Sequence, residues 1–76
     1  MDVEGERERL MGTARLACTA GIAGLNSVVA AEDMEWDPRH VAAAVVDLSE
    51  AARLMAKAAR IAADLAMRTS LFKEVY

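Results

Sequence analysis

Apolar residues recur every three or four positions along two long segments of this 76-residue chain. Such spacing places side chains on one face of an α-helix, and it predicts helices over about residues 3–31 and 38–72. The repeating positions of the first segment are Leu10, Ala14, Ala17, Gly21, Leu25 and Val28. Those of the second segment are Val41, Val45, Leu48, Ala51, Leu54, Ala58, Ile61, Leu65 and Phe72. The pattern predicts no strand, so the expected fold class is all-α.

The boundary between the two helices is predicted at Asp37 and Pro38. Aspartate is a favourable N-cap because its carboxylate accepts from free amides of the first turn, and proline is tolerated at the first helical position. Trp36 and Val41 stand where a hydrophobic staple would close across this helix start. Residues 32–37 form a turn of the length that joins antiparallel helices. The whole chain, residues 1–76, is therefore predicted to be one antiparallel helical hairpin.

Small residues in the first helix predict that the two helices approach each other closely. Gly21 and Gly24 each cost roughly 1 kcal/mol relative to alanine inside a helix, and a smooth contact surface would offset that cost. Asn26 has two interpretations: it fixes the register between helices, as buried asparagine does in coiled coils, or it lies at the solvent edge. The residues expected to pack the helices or the oligomer are Gly21, Gly24, Leu25, Val28, Val45, Leu48, Leu54, Ile61 and Leu65.

The apolar arc of the second helix is wider than one partner helix can cover. A charged stripe of the kind usually found on solvated faces lies opposite it and consists of Glu50, Arg53, Lys57, Arg60, Asp64 and Arg68. Two hairpins packed together would bury apolar surface that a single hairpin leaves in water. We therefore expect a homo-oligomeric helical bundle, a dimer or larger.

Composition bears on where the protein works. A formal net charge of −3 argues against a general nucleic-acid binder. The single cysteine, Cys18, excludes an internal disulfide and favours a reducing, cytoplasmic setting. The uncharged stretch 16–31 is interrupted by Thr19, Asn26 and Ser27, and we expect it to be too short and too polar for a membrane helix.

The sequence contains no arrangement of residues that predicts catalysis. It has one histidine and one cysteine, and no glycine-rich loop follows a strand. The carboxylates of Glu32, Glu35, Asp47 and Glu50 have the look of a paired metal site, but the first two fall in the turn and Glu50 falls on the charged stripe. We therefore expect no enzyme activity, no metal and no other cofactor.

The start of the second helix is the candidate anion site. Helix N-termini attract phosphate or carboxylate because their first amides are free. The candidate ligand-binding residues there are Trp36, Arg39 and His40. The alternative interpretation is that Arg39 pairs with an acid of the turn and His40 is simply exposed.

One family resemblance is centred on the same residues. The run Asp37-Pro38-Arg39-His40-Val41-Ala42, followed by Asp47-Leu48, Ala51 and Lys57-Ala58, resembles the second helix of a family of small phage hairpin proteins. That family includes inhibitors of cyclic-oligonucleotide (CBASS) defence, which oligomerise and sequester the signalling nucleotides. His40 stands where the family usually has an aromatic residue and Ala44 where glycine is common, and the first helix gives no match.

The resemblance implies a phage-type protein in the cytoplasm of a bacterial host that binds cyclic di- or trinucleotides. The alternative is a non-catalytic interaction module, either a bundle like the plasmid-encoded Rop hairpin or a phage regulator that binds a host protein.

Overall fold

The computed structural model describes residues 3–68, which form two helices, α1 (Val3–Asp33) and α2 (Pro38–Met67). The helices pack against each other in opposite directions, so the predicted all-α hairpin is confirmed. α1 continues two residues beyond its predicted end at residue 31, and α2 begins at Pro38 as predicted. α2 ends at Met67, and the last predicted turn, including Phe72, lies outside the described residues.

The two helices meet along a seam of mostly small side chains. Its buried residues are Thr13, Ala17, Gly24 and Ala31 on α1, and Ala44, Ala51 and Ile61 on α2. Among these only Ile61 has a large side chain, so the helix axes lie close together. The seam continues through half-buried positions at alternating spacings of three and four: Leu10, Ala20, Ser27, His40, Asp47, Leu54, Ala58 and Leu65. This repeat is the pattern of a coiled-coil interface.

The seam differs from the predicted apolar stripe at the start of α2. Val41, Val45 and Leu48 are exposed, and Ala44 is the buried residue of this segment. Within a single hairpin the burial therefore lies one residue away from the predicted stripe at Val45, although Leu48 contacts Gly24 at the edge of the seam. The packing of Val45 and Leu48 in an oligomer stays a prediction. Leu25 on α1 is exposed as well. Val28, Leu54 and Leu65 are half-buried, and Ile61 is buried.

A side-chain hydrogen bond crosses the seam. The Ser27 hydroxyl donates to the Asp47 carboxylate over 3.0 Å. The neighbouring Asn26 is exposed, so within one hairpin it occupies the solvent edge. Ser27 and Asp47 therefore provide the polar register contact that the sequence had suggested for Asn26.

Most large apolar side chains lie on the outside of this thin molecule, which measures 53 × 23 × 13 Å. Its radius of gyration is 16.9 Å, against about 11 Å for a compact domain of this length. The exposed large apolar residues are Met11, Leu16, Ile22, Leu25, Val29, Met34, Trp36, Val41, Val45, Val46, Leu48, Met55 and Met67. A single hairpin thus leaves most of its large apolar side chains in contact with water.

α1 is also long and apolar enough to cross a membrane. Helices that pack in the core of a bundle meet the same criterion, so this finding is weak evidence for insertion. The cytoplasmic location inferred from the sequence stays a prediction.

Candidate functional site

The hairpin tip, residues 34–40, begins with the end of α1. The Trp36 amide donates to the Ala31 carbonyl over 2.6 Å, and the Glu35 amide donates to the Glu32 carbonyl over 3.2 Å. This pair of bonds is a Schellman motif, which satisfies carbonyls that a helix end leaves free. It requires a left-handed residue, and here both Glu35 (φ 56°) and Trp36 (φ 63°) have positive φ.

Trp36 is unusual because a bulky residue rarely adopts positive φ. Its side chain is 56% exposed. Val41, its expected staple partner, is exposed as well, so the burial that a staple would provide is slight. The turn therefore presents the indole ring to solvent at the hairpin tip.

Asp37 caps α2 as predicted. Its carboxylate accepts from the Arg39 amide over 2.8 Å, and its carbonyl accepts from the amides of His40 and Val41. The Arg39 guanidinium folds back onto the same carboxylate, with Nε 3.3 Å from Oδ1 and Nη2 3.1 Å from Oδ2. These bonds from the Arg39 side chain and amide lower the pKa of the Asp37 carboxyl.

The three predicted ligand-binding residues thus share the hairpin tip but differ in availability. The Arg39 side chain is 87% exposed and is paired with Asp37 along one edge, which leaves its other N–H groups free for a further acceptor. His40 is half-buried rather than simply exposed. Because the Asp37 carboxylate already occupies the helix N-terminus, an incoming anion at this end would meet a negative charge.

A second candidate site lies at the opposite, open end of the hairpin. A solvent-open groove of about 690 Å³ runs between the start of α1 and the end of α2. We call it the basic groove. It is lined by Glu6, Arg9, Lys57, Arg60, Ile61, Ala63, Asp64 and Met67.

Ion pairing within the basic groove leaves its cations in excess. Glu6 is paired with Arg9 over 2.8 Å, and Asp64 is paired with Arg68 over 2.9 Å. Lys57 and Arg60 have no acidic partner among residues 3–68. One Nη atom of Arg68 is buried and likewise has no hydrogen-bond partner within that range. The groove is therefore a local positive site on a chain whose net charge is negative.

Sequence reasoning missed the basic groove because it treated each charged residue of α2 as part of one solvated stripe. The available signal was Lys57, which has no acid three or four residues away, together with Arg60, whose one acid at that spacing, Asp64, is also within reach of Arg68. The contribution of Arg9 depends on the antiparallel register, which brings the start of α1 beside the end of α2.

The predicted close approach occurs at one of the two glycines. A Cβ atom on Gly24 would lie 2.9 Å from Leu48 Cγ and 3.5 Å from the Leu48 amide nitrogen. A Cβ atom on Gly21 would meet only Met55 Cε, at 3.8 Å, which is an ordinary contact. The small residue is therefore required at Gly24 and is not required at Gly21.

No protein-family model, curated protein or solved structure matches this chain. The similarity of residues 37–58 to the phage hairpin family thus stays a prediction. Among the described residues, no group of three or more His, Cys, Asp or Glu side chains lies close enough together to hold a metal ion.

Proposed function

We propose that this protein is a non-catalytic helical hairpin that assembles with copies of itself and sequesters cyclic oligonucleotides. The observation that carries the proposal is the basic groove, a concave surface where Lys57 and Arg60 lack acidic partners among residues 3–68. Lys57 also belongs to the run that resembles the phage hairpin proteins. In this role the protein binds a signalling nucleotide of the bacterial host and so removes it from solution.

The chemistry of the groove suits a cyclic oligonucleotide. Its phosphodiesters carry permanent negative charge, and arginine and lysine bind such groups through charge-assisted hydrogen bonds. Ile61, Ala63 and Met67 supply apolar surface beside these cations on which a base can rest. A cyclic ligand presents phosphates and bases together, so both kinds of surface are used.

The hairpin tip is the weaker of the two phosphate sites. Arg39 offers free N–H groups, and Trp36 offers an exposed ring for stacking, but Asp37 repels an anion at the same point. We therefore assign the main phosphate contacts to the basic groove. In this proposal Trp36, Arg39 and His40 contribute only if another copy of the chain completes a pocket around them.

Self-association follows from the size of the side chains on each side of the hairpin. The seam buries mostly small residues, whereas thirteen large apolar side chains among residues 3–68 remain exposed. Each such side chain is stabilised by roughly 1.5–3 kcal/mol when it is fully buried. Copies of the same hairpin offer the simplest partner, and light scattering should give a mass of at least twice 8.2 kDa.

Calorimetric titration with a panel of cyclic di- and trinucleotides tests the binding proposal. We expect binding that weakens as salt is raised, because exposed charges are screened. Lys57→Ala or Arg60→Ala should weaken it about tenfold, through loss of a charge-assisted hydrogen bond. Arg15→Ala is the matched control, since Arg15 is an exposed cation that does not line the groove.

Arg39→Ala separates the two sites. If only the groove binds the ligand, Arg39→Ala should bind it as tightly as the wild type does. The stability of this variant should hardly change, because exposed ion pairs contribute little. A larger loss for Arg39→Ala than for Lys57→Ala would move the site to the hairpin tip. A wild-type protein that binds none of the nucleotides would refute sequestration.

The second candidate function is a non-catalytic interaction module, Rop-like or directed at a host protein. It is favoured by the pairing of Arg39 with Asp37, which leaves the helix start satisfied within the chain itself. This candidate predicts an oligomer that binds no nucleotide of the panel and whose mass is the same with and without nucleotide.

A further inference from the structure

The seam divides the surface of the hairpin into two chemically different faces. Residues that directly follow a seam position lie on one face, and residues that directly precede one lie on the other. Gly21 and Met55 both follow seam positions and lie within contact distance of each other. Leu48, which follows the seam residue Asp47, likewise lies within contact distance of the seam residue Gly24. In an antiparallel pair of helices, the residues that follow seam positions on both helices therefore share one face.

The first of these faces carries no charge between residues 11 and 28 of α1 or between residues 41 and 62 of α2. We call it the apolar face. It consists of Met11, Ala14, Cys18, Gly21, Leu25, Val28, Val41, Val45, Leu48, Ala52, Met55, Ala59 and Ala62. The opposite, charged face carries the basic groove together with Arg39, Glu50 and Arg53.

Side-chain size is divided along the apolar face as well. The half nearer the hairpin tip carries the branched residues Leu25, Val28, Val41, Val45 and Leu48. The half nearer the open end carries the small residues Ala14, Cys18, Ala52, Ala59 and Ala62, with flexible methionines at Met11 and Met55. Raised and hollow halves of this kind are complementary to each other when one copy is turned end over end.

The area is also sufficient for a stable contact. The uncharged part of α2 is about 30 Å long at 1.5 Å per residue, on a molecule 23 Å wide. Its projected area is on the order of 700 Å², close to the ~800 Å² that each partner contributes to a standard interface.

We infer that the apolar face is covered by the apolar face of a second copy, related by a two-fold axis near Gly21 and Ala52. This inference rests on the self-association in the proposed function and names the surface responsible for it. In a two-fold contact each residue pair occurs twice, so the raised half of each copy fills the hollow half of the other. The charged faces, with their basic grooves, then remain outward and open to ligand.

Two adjacent valines provide a matched test. Val45 lies on the apolar face and is 60% exposed, whereas Val46 lies on the charged face and is 68% exposed. Val45→Lys buries a charge in the proposed interface, so light scattering should give a smaller mass than that of the wild type at the same concentration. Val46→Lys should keep the wild-type mass, and circular dichroism should show whether both variants remain helical.

A second pair covers the case in which Val45→Lys fails to fold. Ala59→Lys charges the hollow half of the apolar face, and Ala56→Lys charges the outer edge of the same helix; both positions are exposed. An oligomer mass that falls in Ala59→Lys and stays at the wild-type value in Ala56→Lys supports the inference. An oligomeric wild type whose mass survives both Val45→Lys and Ala59→Lys would overturn the inference and leave self-association standing.

Two other results would be decisive against a second copy on this face. A wild type of single-chain mass would refute self-association itself. Co-sedimentation of a monomeric wild type with phosphatidylglycerol vesicles, abolished by Val45→Lys and retained by Val46→Lys, would assign the apolar face to a lipid surface.

Discussion

At the scale of single residues, Asp37 has two tasks that both depend on its negative charge. It caps α2 through the Arg39 amide and holds the Arg39 guanidinium through its two oxygens. Folding lowers the pKa of this carboxyl, so its contribution to stability is present above the unfolded pKa and is lost as pH falls through the folded one.

Asp37→Asn tests that charge while keeping a side-chain oxygen for the cap. We expect the variant to unfold at a lower urea concentration than the wild type at pH 7. The difference should close as pH falls below the ordinary aspartate value of 3.8, where the wild-type carboxyl also becomes neutral. A difference that stays constant from pH 7 down to pH 2.5 would show that the charge of Asp37 contributes nothing.

The glycines of α1 make opposite predictions when each is replaced by alanine. A Cβ atom on Gly12 meets nothing within 4 Å, so Gly12→Ala should stabilise the protein by about 1 kcal/mol through helix propensity. Gly24→Ala forces Leu48 to move, and overpacking of about 1–3 kcal/mol should outweigh that gain. We expect a net loss on the order of 1 kcal/mol in chemical denaturation, and equal gains for both variants would contradict the close approach at Gly24.

These residue-scale results show what the sequence could and could not predict. Asp37 and Pro38 are local signals, because a cap depends on the next few residues alone, and their prediction is confirmed. The difference between Gly21 and Gly24 depends on which side chain of α2 lies opposite. That depends on register, which no residue of α1 specifies by itself.

At the scale of the elements, the end of α1 was harder to predict than the start of α2. A Schellman motif usually has glycine at its left-handed position, and Glu35 occupies that position here. With no glycine to mark the stop, the sequence placed the end of α1 at residue 31 rather than at Asp33.

Glu35→Gly should therefore stabilise the hairpin. The left-handed conformation costs a residue with a Cβ atom roughly 1–2 kcal/mol, and we expect a gain of about 1 kcal/mol in the free energy of unfolding. Glu32→Gly, inside α1, serves as the control and should lose about 1 kcal/mol. If Glu35→Gly destabilised the protein as much as Glu32→Gly, the turn would not have the left-handed geometry described.

The displaced stripe on α2 has an equally physical origin. Periodicity alone fixes the helix but not which side of a wide apolar arc faces the partner. Ala44 and Ala51 occupy the seam because glycine and alanine on α1 bring the helices too close for a side chain as large as that of Val45. Leu48 packs at the edge of the seam, against Gly24. The candidate groove was missed for the same reason, since Arg9 joins Lys57 only through this register.

At the scale of the whole molecule, the small-residue seam and the large exposed side chains have a common cause. Bringing the helices close together leaves the bulky residues outside, and six of the thirteen exposed large apolar residues among residues 3–68 share the apolar face. Stability of the fold should then depend on that face being covered. Folding and assembly would be one coupled equilibrium, since anything that binds only the folded state stabilises it.

Thermal unfolding at two protein concentrations tests this coupling. For a dimer that dissociates as it unfolds, a hundredfold rise in concentration stabilises the folded state by about 2.7 kcal/mol. For two chains of this size, this change should raise Tm by about 5–10 °C. Val45→Lys should have a lower Tm that no longer depends on concentration, whereas Val46→Lys should retain the wild-type dependence. A wild-type Tm that is the same at both concentrations would mean that the seam alone holds the hairpin together, and that its exposed apolar side chains contribute nothing to folding.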